Sequence, residues 1–592
     1  MNVDVDVAVI GGGPVGTLLA AELRLAGAGA VVVLEQRSEP NPHSRAFRLQ
    51  TRTLELLDQR GILKRFTDTA ATWPKAHFAG IHPLLDLAML PSSHPYALLI
   101  PQARTEALLN KRALELGAEI RRGHRVLGLT QSDDRVVLRI EGPEGEHDLS
   151  ARYVIGCDGG HSVVRNLAGI DFPGSGGTVS ALLGDVVLED PSALPIGLPG
   201  TLRRPEGLLM AVTLEEGITR ILTTEFGPRQ QPAQSGEVTL DELKAAVRRV
   251  SGTDVELSNP QWLSRFTDST RLAEHYRAGR VLLAGDAAHV HFPIGAQGLN
   301  LGLQDAMNLG WKLAAVVSGR APESLLDSYE SERRPAAAGV LRETRAQLAL
   351  MNPDPSVDPL RELFADLLAI PEVNLHLSEM ITGLDVRYPV PDGSHPLVGC
   401  RVPDFTLHGS GETHRVAELL HGGRGVLIDL GADSAAHRAA VPWADRVDLV
   451  AATATVGAPA EALLIRPDGC VAWVGGGAAA TEDGIAGLET ALDTWFGAPV
   501  RCGRRRPPRA GARSGPGEQP LPGALRAAAV PVRDRRTGPP ELPLRWARPC
   551  CRRADGTSAL AATNELEDAD DGTDGDDGDG DVDVVEAHDD LS

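Results

Sequence analysis

The sequence predicts an α/β fold in which a parallel-sheet domain is interrupted by an antiparallel sheet and followed by a smaller domain. The first observation is the order of elements at the start of the chain: an apolar strand (3–10), an Ala- and Leu-rich helix (15–26) and a second strand (30–34). A strand, a helix and a strand in this order are typical of neighbouring parallel strands joined by a crossover helix.

Two further observations extend the prediction along the chain. Short buried-type strands recur at 154–158 and 280–284, which indicates that the chain returns to the parallel sheet after a long excursion. Alternating apolar and polar residues at 135–140 and 181–188 favour an antiparallel sheet within that excursion. The chain therefore leaves the first domain and comes back to it.

The later part of the chain predicts helices and then a separate small domain. Helical patterns cover 300–318 and 324–351. The Pro- and Gly-rich segment 389–393 is typical of a linker, and strands are expected at 425–430 and 462–474.

Composition and charge exclude several classes of protein. The 592 residues are too many for a single core, and 42% of them are hydrophobic, so several globular domains are expected. A net charge of −22 argues against binding to nucleic acid or an anionic membrane. The apolar runs are too short for a membrane span, and the amino terminus runs straight into a strand, so a cytoplasmic location is expected. The six cysteines lack C-x-x-C spacing, so no metal site is expected.

The last 92 residues differ from the rest in composition. Residues 501–553 contain 14 basic and 3 acidic residues, and residues 565–592 contain 14 acidic residues and neither Lys nor Arg. Such segments cannot bury enough apolar surface to order themselves, so 501–592 is expected to be a disordered tail.

A dinucleotide-binding motif lies between the first strand and the first helix. Gly11, Gly13 and Gly16 fit G-x-G-x-x-G, in which the glycines allow a tight turn, the approach of a pyrophosphate and close helix packing. The helix N-terminus then faces the phosphates, and Pro14 and Val15 begin that helix. At the end of the second strand, Glu35 is placed to accept hydrogen bonds from ribose hydroxyls. This motif alone does not choose between NAD and FAD.

Two later motifs favour FAD. The first is Cys157-Asp158-Gly159-Gly160, which follows a strand and precedes a helix that carries Arg165. The second combines 285–289 with 293–300: Asp286 can accept from a ribityl hydroxyl, glycines allow close approach to a flat ring, and a helix starting near Leu299 or Asn300 directs its N–H groups at that ring. Such donors would stabilise the negative charge of a reduced flavin.

In this order and at these distances, the three motifs resemble class A flavoprotein monooxygenases, the group of p-hydroxybenzoate hydroxylase. The sequence is most similar to the aromatic polyketide hydroxylases of anthracyclines and angucyclines and to rifampicin monooxygenase, over residues 3–500. The resemblance implies a Rossmann-like FAD-binding domain (1–72, 102–178 and 269–390), a substrate-binding domain (73–101 and 179–268) and a thioredoxin-like domain without C-x-x-C (391–500).

The resemblance also implies which residues form the site. Arg45 and Pro293 are expected next to the flavin, where the reaction takes place. Cofactor-binding residues are expected to be Gly11, Gly13, Pro14, Val15, Gly16, Glu35, Gln36, Arg45, Gln102, Val126, Asp158, Arg165, Asp286, Pro293, Gly298, Leu299 and Asn300.

Two residues depart from the family pattern, and several others have structural interpretations. His161 stands where many relatives carry arginine, which leaves the nicotinamide preference open, and Ala296 replaces a common glycine. His289 and His291 are expected to be structural. Trp73, His77, Phe78 and Tyr96 are candidates for the substrate pocket, although aromatic residues there are more often plain core.

The implied reaction is the hydroxylation of a bulky aromatic polyketide phenol in antibiotic biosynthesis. NADPH or NADH would reduce FAD, and molecular oxygen would react with it to give a C4a-hydroperoxide that the phenol attacks. The protein is expected to be a monomer or homodimer. Three alternatives stay open: Baeyer–Villiger oxidation or inactivation of an antibiotic, a flavin dehydrogenase, and a non-catalytic flavin-binding scaffold.

Overall fold

The computed structural model describes residues 3–499 except 69, 196–200, 216, 227–235, 392–393, 410–411, 432–434, 455–456 and 476–481. The expected disordered tail (501–592) and part of the expected linker therefore lie outside the described residues. The fold is mixed α/β, as the sequence predicts. Within the described residues, no helix is long and apolar enough to cross a membrane.

The first 172 residues contain most of the parallel sheet and the helices around it. Their strands are β1 (Val5–Ile10), β2 (Val31–Glu35), β3 (Arg48–Leu49), β4 (Ala71–Trp73), β5 (Lys75–Phe78), β6 (Ile81–Asp86), β7 (Ala97–Leu99), β8 (Glu119–Arg122), β9 (Arg125–Gln131), β10 (Val136–Gly142) and β11 (Gly145–Gly156). Their helices are α1 (Pro14–Leu25), α2 (Thr51–Asp58), α3 (Leu63–Thr67), α4 (Gln102–Glu115) and α5 (Val163–Leu167).

The next hundred residues form a second, antiparallel sheet with one helix against it. The strands of this sheet are β13 (Ser180–Leu188), β14 (Thr201–Arg204), β15 (Gly207–Glu215), β16 (Ile218–Glu225) and β17 (Leu257–Thr267), and the helix is α6 (Leu240–Ser251). Two short strands on either side of it, β12 (Gly174–Ser175) and β18 (Thr270–Leu272), pair with each other in a separate small sheet.

The remaining residues complete the first sheet, add long helices and form two further sheets near the C-terminal end of the described residues. The strands are β19 (Arg277–Ala278), β20 (Val281–Leu283), β21 (His289–Val290), β22 (Thr406–Gly409), β23 (Glu412–Arg415), β24 (Gly425–Asp429), β25 (Val447–Ala451), β26 (Thr453–Ala454), β27 (Ala462–Ile465) and β28 (Val471–Gly475). The helices are α7 (Gln297–Val317), α8 (Asp327–Met351), α9 (Asp358–Leu368), α10 (Pro371–Thr382), α11 (Val416–Leu419), α12 (Ala435–Ala440) and α13 (Glu482–Phe496).

Strand order explains how the motifs come together. The first sheet runs β19-β20-β11-β1-β2-β8, and β1, β2, β8, β11 and β20 are parallel neighbours. The Gly-rich turn after β1, the Asp-Gly motif after β11 and the 285–289 motif after β20 therefore lie at the same edge, because parallel strands end together. The second sheet, β14-β15-β16-β13-β17, is antiparallel.

Two predicted boundaries differ from the structure. The expected strand at 462–474 is a hairpin, β27 and β28, because the turn at Arg466–Cys470 reverses the chain. Helix α7 begins at Gln297 rather than at Leu299 or Asn300, because the left-handed residue Ala296 immediately precedes it. Backbone with positive φ ends or begins a helix whatever the propensity of its neighbours.

A buried ionic network joins the C-terminal sheet to helices α7 and α8. The carboxylate of Glu332 accepts from Arg466 at 2.5 and 2.9 Å, from Lys312 at 2.7 Å and from Asn308 at 2.7 Å. Arg466 also pairs with Asp468, and all four charged side chains are nearly inaccessible to water. Burial acts to raise the pKa of Glu332, but the charges of Arg466 and Lys312 outweigh it and hold the pKa well below its usual range.

Candidate functional site

The Gly-rich turn has the geometry of a phosphate-binding loop. Gly11 has φ +107°, and a Cβ on Gly16 would lie 2.1 Å from the Gly11 carbonyl oxygen, so both positions require glycine. A Cβ on Gly13 would meet no atom within 4 Å, so open space lies in front of the turn. The Gly12 N–H donates to the Glu35 carboxylate at 2.8 Å, which holds that carboxylate beside the turn. The space and the carboxylate fit a dinucleotide.

The turn after β20 packs directly onto the turn after β1. The Val15 side chain lies 3.1 Å from where a Cβ on Gly285 would be and 2.7 Å from where one on Gly302 would be. Pro14 is buried as the first residue of helix α1. Beside them, the exposed carboxylate of Asp286 makes no hydrogen bond to any described residue, so it is available to accept one from a ligand hydroxyl.

The carboxylate of Asp158, which is predicted to bind the cofactor, accepts hydrogen bonds from the start of helix α5. Its Oδ1 accepts from the Ser162 hydroxyl at 2.5 Å, and its Oδ2 accepts from the Val163 and Val164 N–H groups at 2.7 and 3.1 Å. These contacts fix the start of helix α5. The carboxylate is therefore already well supplied with donors by the protein.

Arg165 connects two motifs rather than extending into solvent. It is buried, and its guanidinium donates to the Ala287 carbonyl at 3.0 Å and to the Gly160 carbonyl at 3.1 Å. The same group lies 3.8 Å from the centre of the Phe172 ring. Arg165 therefore holds the 158–165 motif against the 285–289 motif, whereas His161 stays exposed.

His289 belongs to a buried cluster that supports the 285–289 turn. Its Nε2 lies 2.7 Å from Asp305 Oδ2, which also accepts from the Gly285 N–H at 3.1 Å, and Arg333 donates to Asp305 Oδ1 at 2.8 Å. Burial acts to raise the pKa of Asp305, but the charge of Arg333 and the hydrogen-bonded His289 lower it. His289 therefore has a structural place.

The start of helix α7 is built from consecutive left-handed residues. Gly295 has φ +73° and Ala296 has φ +53°, and the helix begins immediately afterwards at Gln297. The N–H groups of Gln297, Gly298 and Leu299 occupy the first helical turn, where a helix supplies them with no acceptor. Together with the positive end of the helix dipole, they form a donor set for a negatively charged ring edge.

The Asn300 side chain is fully used inside the protein. Its Oδ1 accepts from the Gln50 N–H at 2.8 Å and from the Thr53 hydroxyl at 2.7 Å, and its Nδ2 donates to the carbonyls of Arg48 and Ala296 at 3.1 and 2.8 Å. Asn300 thus fastens the start of helix α7 to strand β3 and helix α2. This role could not be predicted from sequence, because three of its four partners lie about 250 residues away.

Several buried polar atoms around this helix start lack hydrogen-bond partners among the residues that the structure describes. Gln50 Nε2 donates to the Gly295 carbonyl at 2.8 Å, but its Oε1 has no partner. Gln297 Nε2 and His291 Nε2 also have none, and burial lowers the pKa of His291. Buried polar groups are rarely left unpaired, so these atoms fit a polar ligand such as the pyrimidine ring of a flavin. Pro293 is exposed at the beginning of the same loop.

The 44–46 segment is held against the start of helix α4. Gln102 Oε1 accepts from the Ala46 N–H at 3.1 Å, and the Ser44 hydroxyl accepts from the Ala103 N–H at 3.0 Å. Gln102 therefore shapes the loop through its own side chain, while the side chain of Arg45 is exposed. Of the other predicted ligands, Val126 is buried in strand β9 and Gln36 is exposed after strand β2.

Arg220 of the second sheet binds the same loop and was missed from sequence. It forms an ion pair with Asp185 at 2.7 Å and donates to the backbone carbonyls of Ser44 and Arg45, the latter at 3.1 Å. Its guanidinium also lies 5.7 Å from the Trp262 ring centre. An arginine on an alternating strand carries no sequence signal for such a contact, which only the packing of the two sheets creates.

A cavity of about 280 Å³ lies between the second sheet and helix α8. It is lined by the segments 175–179, 268–270 and 344–352 and by Phe226 and Phe292. Since Phe292 precedes Pro293, the cavity borders the flavin-site loop. Trp73, His77, Phe78 and Tyr96 do not line it, and Phe78 instead stacks on Phe364 at 5.3 Å. No group of three or more potential metal ligands occurs among the residues that the structure describes.

Comparison with known proteins agrees with this geometry. An FAD binding domain family matches residues 4–344, and an aromatic-ring hydroxylase C-terminal family matches residues 395–499. The chain is 48% identical to a 12-dehydrotetracycline 5-monooxygenase/anhydrotetracycline 6-monooxygenase of Streptomyces rimosus, over 84% of this chain and 99% of that protein. It is 44% identical to a rifampicin monooxygenase of Streptomyces venezuelae, over 83% and 99%.

A solved structure supports the same assignment. The anhydrotetracycline hydroxylase from Streptomyces rimosus superposes with a TM-score of 0.78 at 46% identity, over 84% of this chain and 99% of that one. Family matches, identity over almost the full length of the relatives and a site suited to a flavin agree with one another. The chain belongs to the family of FAD-dependent aromatic-ring hydroxylases.

Proposed function

We propose that this protein is an FAD monooxygenase, reduced by NADPH or NADH, that hydroxylates a bulky aromatic polyketide phenol in antibiotic biosynthesis. The observation that carries the proposal is that an open Gly-rich turn, the start of helix α7 and buried polar atoms without partners among the described residues occur together. The second, antiparallel sheet contacts the nearby 44–46 segment through Arg220. Relatives that act on anhydrotetracycline and rifampicin support a polycyclic substrate.

Each part of the site would have a distinct task. Gly13 and Glu35 would hold the pyrophosphate and the adenosine ribose, and Asp286 the ribityl chain. The first turn of helix α7 would direct N–H groups to the negative edge of the reduced ring. FAD, when bound, supplies hydride acceptance from the nicotinamide and activation of molecular oxygen. Arg45 and Pro293 would border the ring where the phenol lies.

The substrate is proposed to enter between the second sheet and the flavin loop. The cavity beside Phe292 has both apolar and polar walls, with Phe226 and Leu348 among the apolar side chains and Asp268 and Arg345 among the charged ones, and it could receive part of a polycyclic molecule that carries polar groups. Arg220 would hold the 44–45 segment at a set distance from the second sheet, because it contacts both. We retain the domain boundaries given above, the thioredoxin-like character of 391–500 and a cytoplasmic monomer or homodimer as proposals.

A second candidate function is inactivation of an antibiotic, which the 44% identity to a rifampicin monooxygenase favours. The same fold and cofactor would serve, and the product would distinguish the two functions. A hydroxylase adds one oxygen atom to a polyphenol, whereas a rifampicin-type or Baeyer–Villiger reaction would oxidise a macrocyclic or ketone substrate.

The test begins with the visible spectrum of the purified protein. NADPH oxidation is then measured with anhydrotetracycline, with rifampicin and without substrate, under labelled oxygen. Flavin bands, acceleration by anhydrotetracycline and one labelled atom in the product are expected. Acceleration by rifampicin alone would establish the second candidate. A protein that cannot be reconstituted with FAD would contradict both, and flavin reduction without label in any product would indicate a dehydrogenase.

A further inference from the structure

The cavity between the second sheet and helix α8 carries two charged groups of opposite sign on its walls. Asp268 lies on the side of the sheet and Arg345 on the side of the helix, and both line the cavity. Among the described residues, the two groups form no ion pair with each other. Their charges therefore act on the cavity from separate places.

Asp268 is held in the turn that follows strand β17. Its Oδ1 accepts from the Thr178 and Val179 N–H groups at 2.5 and 2.7 Å, and its Oδ2 accepts from the Thr178 hydroxyl at 2.7 Å. Strands β13 and β17 are antiparallel neighbours with Ser180 opposite Thr267, so these segments meet at one end of the sheet. Neutral donors satisfy the carboxylate without cancelling its charge, so this wall of the cavity is negative.

Helix α8 contributes a row of side chains to the other wall. Arg345, Leu348 and Asn352 recur at intervals of three and four residues, so they share one face of the helix. The Thr344 hydroxyl beside them donates to a carbonyl one turn earlier at 2.9 Å, and Asn352 Oδ1 accepts from the Asp354 N–H at 3.0 Å. The guanidinium of Arg345, by contrast, makes neither a hydrogen bond nor an ion pair with any residue that the structure describes.

Aromatic and aliphatic side chains complete the cavity between the two charged groups. Phe226, Phe292 and Leu348 line it, and Phe292 belongs to the same apolar cluster as Ile294 of the flavin-site loop. Apolar walls exclude water from the faces of a bound ring and concentrate the field of nearby charges. A flat aromatic molecule therefore fits between these walls with a polar substituent at the rim, where Arg345 is exposed.

The arrangement of charges favours one kind of substituent and one orientation of the molecule that carries it. A guanidinium offers paired N–H donors that match the two oxygens of a carboxylate. Asp268 repels the same carboxylate from the opposite wall. Because one side attracts the acid group and the other repels it, an acidic polycycle binds in a single orientation, which decides which of its ring carbons lies towards the flavin-site loop.

We propose that Arg345 is a specificity-determining residue that binds a carboxylate of the substrate, so that the enzyme selects polycyclic aromatic acids and orients them in the cavity. The inference rests on the proposed function and adds a substrate class and a binding orientation to it. Arg345 exchanges neither a proton nor an electron with the substrate, since it acts through its position and charge alone.

The experiment compares the binding of rhein and aloe-emodin, two dihydroxyanthraquinones that differ only in a carboxylate against a hydroxymethyl group. Equilibrium dialysis gives both dissociation constants for the FAD-loaded protein and for its Arg345→Gln, Arg345→Glu, Asp268→Asn and Arg342→Gln variants. Arg342 is the matched control, because it is exposed one turn earlier on helix α8 and does not line the cavity. FAD content is measured for each protein, and aloe-emodin reports whether the cavity is intact.

The wild-type protein should bind rhein about 5–10-fold more tightly than aloe-emodin, and high salt should reduce this preference because Arg345 is exposed. Arg345→Gln should abolish the preference with aloe-emodin binding unchanged, and Arg345→Glu should reverse it. Asp268→Asn should tighten rhein binding, because the repulsion disappears while the amide oxygen still accepts hydrogen bonds. Arg342→Gln should behave as wild type.

Equal affinities in wild type, the same preference in Arg345→Gln, or an equal loss in Arg342→Gln would overturn the proposal. So would Asp268→Asn without tighter rhein binding. If wild type binds anhydrotetracycline but neither anthraquinone, the inference fails while the proposed function stands. If it binds none of the three molecules, the proposed function itself fails.

Discussion

The two halves of helix α8 treat buried polar side chains in opposite ways. In the first half, Glu332 has four hydrogen-bond contacts with three donor residues, Arg466, Lys312 and Asn308. In the second half, Glu343 Oε2 has no hydrogen-bond partner within the described segments, although only 8% of the residue is exposed. The first half connects helix α7 to the C-terminal sheet, and the second half lies beside the cavity.

The difference suggests two roles for buried polar side chains, one in holding the fold together and one in binding a ligand. Where the protein supplies every partner, as around Glu332, the buried charges hold the C-terminal sheet on helices α7 and α8. Where partners are missing among the described residues, as at Gln50 and Gln297, the surrounding segments are those in which we propose the cofactor site. Completeness of hydrogen bonding therefore distinguishes two regions that composition alone would not.

The largest loss of stability is expected from disrupting the ionic network around Glu332. Glu332→Gln removes the carboxylate that pairs with both Lys312 and Arg466, so the free energy of unfolding should fall by about 3–5 kcal/mol. Because the pKa of Glu332 is depressed, its stabilising contribution is present above the unfolded pKa and is lost as pH falls. Urea unfolding at pH 7 measures the loss. Asp327→Asn, at an exposed pair on the same helix, should cost less than ~1 kcal/mol; equal losses would contradict the comparison.

Substitution of Glu343, whose carboxylate is incompletely hydrogen-bonded, should raise the free energy of unfolding instead of lowering it. Burial, followed by the Asp385 charge, raises the pKa of Glu343 to about 8. Its stabilising contribution is fully present below the unfolded pKa near 4.5 and is lost as pH rises through 8. Glu343→Gln should therefore raise stability by about 1–3 kcal/mol at pH 8.5 and leave it unchanged near pH 4.5. Urea unfolding across this range, with the exposed Glu362→Gln as control, checks the prediction; a pH-independent difference would disprove it.

Arg48 is a buried cation whose guanidinium has no partner among the described residues, and its removal should also stabilise the protein. Arg48→Met replaces a buried charge by an apolar side chain of similar length, so unfolding free energy of the ligand-free protein should rise by about 1–2 kcal/mol. Arg52→Met is the matched control, because Arg52 is equally buried but paired with Glu55 and with the Asp468 carbonyl. That control should lower stability. Thermal unfolding of both variants distinguishes the two environments, and a loss in Arg48→Met would indicate a partner for Arg48.

The smallest effect concerns backbone conformation at the start of helix α7. Ala296 has φ +53°, where a Cβ is unfavourable, so Ala296→Gly should stabilise by about 0.5–1 kcal/mol. Ala315→Gly, inside the same helix, should destabilise by about 1 kcal/mol instead. Chemical unfolding of both variants compares the signs. If Ala296→Gly also destabilises, the methyl group contributes packing that outweighs the strain.

Local motifs made much of the site predictable. The three strand-end motifs meet at one edge, as the βαβ order indicates, and the family assignment follows from their order in the chain. Gly11 and Gly16 are required by a backbone conformation and a close contact that the motif itself encodes. The beginning of helix α7 was displaced by two or three residues, because strain at Ala296 is not visible in residue propensities.

By itself, the sequence determined the fold class, the flavin-site motifs and the family, because each depends on residues close together in the chain. Only the tertiary structure decided which buried polar side chains have all their hydrogen-bond partners and which lack some of them. Three of the four hydrogen-bond partners of the Asn300 side chain lie about 250 residues away, and the guanidinium of the buried Arg48 has no partner among the described residues. Hydrogen-bond completion depends on distances between remote segments, and no periodicity or spacing along the chain records those distances.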